Sequence, residues 1–424
     1  MTIILIAAFI AITMIGKAIY KRYINPIMLF VGVQLIGLIL LYGSSFITAE
    51  LITPSIGYIY IASYLFFILG NLIGVRKKHF FTEKVYKSNV QIKENDETEI
   101  KYYETMIITL GIVLLISTLI YWASCISRFG IAAFFNNLLH TKASSTDVSN
   151  FVLYLKMISV FLSPYTLYYI IKFNKRKPIL FAIIILTILS NIAYTRNVLF
   201  YIAILDLLVI AFSRPEGIKK EEKRKPVFYI VIVVGMYLFF TYTQSEFNKQ
   251  FNISGSVFGK TVSSGLLTII SYFSGALATV GIYLDQINNT PFLGHSFRTL
   301  INFLNPLGLN INTTAYQPTH WVYIPFRYNT SSIQYYIFSE GNWPWTILFF
   351  FLFGYIFAKV YIWFKRKKSF SSMLALCFLS WMAVLSSREY IMVRLDSFFF
   401  IVFILITYMH EAGKLKRIVF RTRR

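Results

Sequence analysis

Acidic residues are scarce in this sequence, cysteines scarcer, and polar stretches long enough to cover a soluble domain are nearly absent. The 424 residues include 18 Asp and Glu against 41 Lys and Arg, two cysteines and five histidines, and only 14% of the chain is charged. A chain that is 57% hydrophobic and 18% aromatic cannot clothe a soluble fold in polar groups, whereas a lipid-facing helix bundle needs no such coat. Cys125 and Cys377 stand alone, which gives neither a disulfide framework nor a zinc spacing. There is no G-x-G-x-x-G ahead of a helix, no P-loop, no H-E-x-x-H and no G-x-S-x-G. Nucleotide-driven transport and the common hydrolases therefore have no support, and no cofactor or metal is implied.

What abounds is long apolar runs. A helix needs about 20 apolar residues to cross the hydrocarbon core. Eleven runs qualify, at 2–20, 26–47, 56–75, 105–124, 151–171, 178–194, 197–212, 227–243, 343–364, 371–387 and 394–410. The expected fold class is all-α, a polytopic integral membrane protein of about eleven transmembrane helices (10–12), forming a single membrane domain over 1–424. The first run, MTIILIAAFIAITMIG, lacks a basic n-region and a small-residue cleavage site, so it is expected to stay as a helix.

The basic residues orient these spans. Lys17–Arg22, 76–104, 172–177, 214–225, 365–368 and the tail from Lys414 hold 30 of the 41 Lys and Arg. In alternating spans all six links share one side, which the positive-inside rule assigns to the cytoplasm. The N-terminus is then out and the C-terminus in. Loops 76–104 and 213–226 are cytoplasmic, and 244–342 is one large extracytoplasmic segment. The formal charge of +23 belongs on this reading to basic inner loops, not to a nucleic-acid surface. Loop 76–104 mixes seven basic and six acidic residues and is expected to be a solvated, partly disordered link. The run 264–284 is long enough to span, but a full span there would move the following basic links outside. It is expected to be re-entrant or interfacial.

The outer face then holds few basic residues, and arginine dominates them. Arg128, Arg196, Arg298, Arg327, Arg388 and Arg394 face three lysines, Lys142, Lys249 and Lys260. Two readings stand. Arginines near span ends snorkel to headgroups or pair with carboxylates, and Glu389 and Asp396 are the expected partners of Arg388 and Arg394. Alternatively, the planar guanidinium fork binds phosphate oxygens bidentately and stays charged when partly buried. Glu340 is either a capping or pairing carboxylate ahead of the span at Trp343, or a general base. His295 and His320 have no metal-ligand spacing and are secondary base candidates. Aromatics around Tyr316, Trp321, Tyr335, Tyr336, Trp343 and Trp345 suit sugar rings and interface anchoring equally. Asp206, inside a span, is expected to be paired or hydrogen-bonded within the bundle.

The stretch RYNTSSIQYYIFSEGNWPWTILFFFLFGYIF (Arg327–Phe357) resembles a recurrent segment of Wzy-type repeat-unit polymerases of O-antigen and capsular polysaccharide. Asn329-Thr330, Glu340-Gly341 and Gly354 stand at the matching places, without the family's aromatic between acid and glycine. YTRNVLFY (Tyr194–Tyr201) is similar to the family's arginine turn between two spans, with Thr195 for its small residues and no glycine. SYFSGALATVGIYL (Ser271–Leu284) resembles its Tyr-x-Ser-Gly element.

The resemblance implies a GT-C-like membrane glycosyltransferase of the bacterial cytoplasmic (inner) membrane, with its active site facing outward. Its substrates would be undecaprenyl-diphosphate-linked oligosaccharides, it would need no metal or nucleotide sugar, and a chain-length regulator is a candidate partner. Arg196, Arg298, Arg327 and Arg388, with Tyr328 and Asn329, would then bind the diphosphate-linked substrate. Glu340, or else His295 or His320, would draw the proton from the acceptor hydroxyl. Alternatives are a ligase using the same carrier, or a flippase or other transporter of lipid-linked oligosaccharide. A transporter should carry ionisable or Pro/Gly-broken spans near the midplane, whereas the charges within these spans are Lys156, Asp206 and Lys359.

Overall fold

The computed structural model describes residues 1–45, 52–76, 97–136, 149–192, 196–213, 256–261, 264–286, 294–305, 322–324, 327–328 and 330–413. Fourteen α-helices run through these residues. They are α1 (Thr2–Tyr20), α2 (Val33–Gly43, entered through a π turn at Met28–Gly32), α3 (Pro54–Arg76), α4 (Glu97–Phe129), α5 (Ile131–Asn136), α6 (Asn150–Lys156), α7 (Ile158–Phe173), α8 (Pro178–Ile192), α9 (Arg196–Ser213), α10 (Ser264–Gln286), α11 (Gly294–Leu304), α12 (Ile333–Lys367), α13 (Phe370–Leu385) and α14 (Leu395–Glu411). The strands among the described residues form two small antiparallel hairpins, β1 (Ser256–Val257) with β2 (Lys260–Thr261) and β3 (Val322–Tyr323) with β4 (Arg327–Tyr328). Thr2–Tyr20, Pro54–Arg76, Glu97–Phe129, Phe151–Phe173 and Ile333–Lys367 are long and apolar enough to cross a membrane, and shorter apolar helices accompany them. The fold is all-α and its helices suit a lipid bilayer.

Each apolar run of the sequence carries a helix, except 227–243, which lies outside the described residues. Two boundaries differ markedly, and one run is a longer helix than a re-entrant element needs. Helix α4 starts at Glu97, inside the charged link 76–104, because Glu97 and Glu99 occupy its first turn, where the positive end of the helix dipole favours carboxylates. Helix α12 starts at Ile333, ten residues ahead of the run at 343. The ambiguous run at 264–284 is one unbroken helix of 23 residues, about 35 Å long at 1.5 Å per residue. Ser274 Oγ donates to the Gly37 carbonyl (3.1 Å) and Tyr60 Oη to the Leu277 carbonyl (2.8 Å), which pins its middle against α2 and α3.

The chain divides into two compact units. One comprises Met1–Lys77, Ile218–Trp363 and Met382–Phe398, the other Lys78–Gly217, Phe364–Trp381 and Phe399–Arg424. In the first unit α3 and α12 approach backbone to backbone at Gly70, Gly74 and Gly354. Small residues allow this, and in lipid close packing replaces the hydrophobic drive between helices. Gln34 Nε2 donates to Ser386 Oγ (2.7 Å), and Gln334 Nε2 donates to Gln34 Oε1 (2.6 Å). These bonds join the start of α12, the end of α13 and α2, and Ile333 N–H donates to the Ser386 carbonyl (2.9 Å).

In the second unit Phe161, Tyr165, Phe370 and Phe403 form an aromatic core. Asp206 accepts a 2.7 Å hydrogen bond from Ser163, the intrabundle partner expected of it. Glu411, the last residue of α14, caps α13. It accepts from the backbone N–H of Phe370 (2.7 Å) and Ser371 (3.2 Å), from the Ser371 hydroxyl, and from Tyr103 Oη (3.1 Å). Glu411→Ala should lower stability by about 1–3 kcal/mol, since it strips a cap and leaves donors unpaired. Thermal unfolding in mild detergent measures this, and an unchanged midpoint would show that the cap contributes nothing.

Candidate functional site

The site lies in the first unit, at the end of α12 remote from its Lys365–Lys367 run. Helix α12 is interrupted there. Gly341 (φ −166°) and Asn342 (φ 53°) leave helical geometry, and Pro344 follows. Pro344 has no N–H to return to the preceding turn. Asn342 sits at a positive φ that asparagine tolerates better than most residues, and Thr346 Oγ1 holds its carbonyl at 2.8 Å. The break turns Glu340, the last residue before it, toward the first turn of α11.

Glu340 is 3% exposed. One carboxylate oxygen accepts the Ser296 backbone N–H. The other accepts Ser296 Oγ at 2.8 Å and Trp345 Nε1 at 3.1 Å. The carboxylate thus caps the N-terminus of α11, where the helix dipole favours negative charge, and ties it across the break to Trp345. Ser296 Oγ also lies 3.1 Å from Tyr390 Oη. Burial, with the Glu340 charge nearby, raises the Tyr390 phenol above its ordinary value, against the Ser296 hydrogen bond. The phenol stays protonated and donates to Ser296, while Ser296 donates to Glu340.

Tyr390 belongs to the connection between α13 and α14, which carries the charges. Helix α13 ends at Leu385, whose carbonyl accepts the N–H groups of Arg388 and Glu389 at 2.8 Å each. Arg388 is 6% and Glu389 9% exposed. Glu389 lies between two guanidiniums, 3.8 Å from Arg388 Nη1 and 3.8 Å from Arg394 Nη1. Asp396, in the first turn of α14, accepts Arg394 Nε at 3.1 Å and Nη2 at 2.8 Å. The pairing of Arg388 and Arg394 with Glu389 and Asp396 is the one their sequence proximity led us to expect. Arg298, on α11, is half-buried; burial lowers its pKa while Tyr336 acts the other way, and a guanidinium stays charged regardless.

His295, Arg298, Glu340 and Arg388 therefore meet in one unit with Arg394, Glu389 and Asp396. Arg388 and Arg394 pair with Glu389 and Asp396, while Glu340 is held by Ser296 and Trp345. His295 is buried with its ring edge-on to Tyr336 (centroids 5.1 Å) and near Tyr335 (5.8 Å). Tyr335 and Tyr336 are core residues, whereas Trp343 is 40% exposed, as an interface anchor would be. Arg196 opens α9 in the second unit, and Arg327 and Tyr328 form β4; these three are placed by their backbone alone. His320 and Asn329 lie outside the described residues. Among the described residues no group of three or more His, Cys, Asp or Glu is placed to hold a metal ion.

Two members of the site escaped sequence reasoning. Ser296 and Tyr390 lie 44 residues from Glu340 and 94 residues from Ser296 respectively, and no local pattern links them. Only the adjacency of Ser296 to His295 and of Tyr390 to Arg388-Glu389 pointed toward them. No protein-family model, curated protein or solved structure matches this chain.

Proposed function

We propose that the protein is a polymerase of lipid-linked oligosaccharide repeat units, acting on the outer face of a bacterial cytoplasmic membrane. It transfers the growing glycan from undecaprenyl diphosphate to the next lipid-linked unit. The observation that carries this reading is the buried arginine network of the α13–α14 connection. Helices of 16 and 17 residues reach only about 24–26 Å, short of the roughly 30 Å hydrocarbon core, so on this reading the connection and its charges would lie just inside the outer boundary of the hydrocarbon. Charges at that depth are costly and mark function by default. In the proposed reaction negative charge develops on the departing lipid diphosphate, where preorganised guanidiniums act most strongly. Arg388, Arg394 and Arg298, all in the first unit, are the candidates that the geometry supports, and Arg196 and Arg327 are candidates from the sequence alone. The outward orientation rests on the distribution of Lys and Arg.

Lysine at Arg196, Arg327 or Arg388 keeps the charge and removes the fork, so polymer formation should fall in these variants. Wild-type polymer in all three would sink the bidentate clamp. The reading as a whole is tested by the glycan of a deletion strain together with its extracted lipid carrier. Surface glycan reduced to single repeat units supports a polymerase. Long polymer retained on the carrier means a ligase. Repeat units trapped on the inner leaflet mean transport. That last reading draws on the interrupted α12 and on the buried Gln334–Gln34–Ser386 junction, since broken helices at depth also suit transporters.

A further inference from the structure

We infer that Ser296 is a positioning residue of the arginine site, and that Glu340 serves it as a fixed anchor rather than as the proton acceptor. Three separate pieces of chain meet at Ser296. Its backbone N–H and hydroxyl hold Glu340 at the break of α12, and its hydroxyl meets Tyr390, two residues beyond Arg388. Trp345 closes the same carboxylate from beyond the break. Both Glu340 oxygens are thus engaged by donors. A general base needs a lone pair within reach of the substrate hydroxyl, and here three donors take most of the roughly four lone-pair sites of a carboxylate that is itself buried. What the arrangement does instead is set the first turn of α11, which carries Arg298 two residues on, against the connection that carries Arg388 and Arg394. The ring of Tyr390 is held between Tyr336 (5.9 Å) and Phe349 (6.0 Å). Its hydroxyl is therefore presented to Ser296 by packing, and the Ser296 bond converts that packing into a register between α11 and the connection.

The inference rests on the proposed function for what the site does, but its test does not. Hydrogen exchange of the full-length protein in lipid nanodiscs needs no substrate. Ser296→Ala should speed exchange in both 294–300 and 386–394, roughly ten- to hundredfold, as expected when buried hydrogen bonds to a charged group are lost. Ser296→Thr keeps the hydroxyl and should restore wild-type exchange. Glu340→Gln should resemble Ser296→Ala, and the double variant should be no worse than either, because both remove one shared arrangement. Wild-type exchange in Ser296→Ala, or acceleration confined to 294–300, overturns the positioning role whatever the protein catalyses. Where polymer formation is also measured, Ser296→Ala should lose it and Ser296→Thr regain it. Loss in Glu340→Gln alone, with Ser296→Ala active and protected, would return Glu340 to the role of base. Changed exchange in a protein whose deletion leaves polymer intact would retain the positioning role and reject the polymerase.

Discussion

Valine at Gly354 is expected to abolish accumulation of folded protein. A Cβ added at Gly354 would lie 2.1 Å from the Phe67 carbonyl oxygen and 2.9 Å from its carbon, and one at Gly70 would lie 2.0 Å from the Phe351 carbonyl oxygen. The obstructing atoms are backbone, so no rotamer change relieves the overlap and α3 and α12 must part. Overpacking in a close-packed interior costs about 1–3 kcal/mol even where side chains can give, and a clash with backbone belongs above that range, among the large single-site effects. Parting these helices also strips the packing around Phe30, Phe67 and Phe353, whose ring centroids lie 4.4–5.5 Å apart in tilted and edge-on contacts. Fluorescence-detected size exclusion in mild detergent should show little monodisperse Gly354→Val, with Gly354→Ala intermediate. Gly57→Ala, where nothing lies within 4 Å of the added Cβ, should match wild type. A monodisperse Gly354→Val of wild-type thermal stability would contradict the close approach itself.

The second large effect belongs to Arg388. Removing one member of a buried ion pair costs about 3–5 kcal/mol, so Arg388→Ala, which takes away one of the two guanidiniums 3.8 Å from the buried Glu389, should be badly folded. That outcome would say nothing about chemistry. Arg388→Lys keeps the charge and should keep the fold. If the guanidinium stabilises a departing diphosphate, polymer formation should drop on the order of 10²–10³-fold. Arg388→Gln/Glu389→Gln, which removes both charges together, should refold better than Arg388→Ala and remain inactive. Full activity in the double variant would make the network purely structural.

Much of the helical layout is legible in the sequence, because an apolar run of about 20 residues has few alternatives to a membrane helix. The misread boundaries have local causes. Residues 331–340 open with Ser331-Ser332 and carry Gln334, a polar start that reads as part of the outer segment. They are nevertheless the start of a buried helix, because Gln34, Ser386 and the Ala276 carbonyl satisfy the polar groups that lipid could not. Glu97 looks like a loop residue until its helix is seen to begin there. The break at Gly341 and Asn342, with Pro344 just beyond it, formed no part of the expectation, which began the span at 343. The role of Gly354 was visible only as a glycine in a span, since the Phe67 carbonyl that demands it is nearly 300 residues away in the chain.

The sequence by itself determined that this is a helical chain suited to a bilayer and concentrated its basic residues in a few links, because hydropathy and charge are properties of short segments read one at a time. It also paired Arg394 with Asp396, two residues apart and held by local geometry. Only the tertiary structure decided which charges share a site. It set Glu340 on the first turn of α11, joined Ser296 to Tyr390, and brought Arg298 into the unit that holds Arg388 and Arg394. A buried carboxylate must find donors wherever the fold supplies them, and those donors came from segments that no periodicity connects.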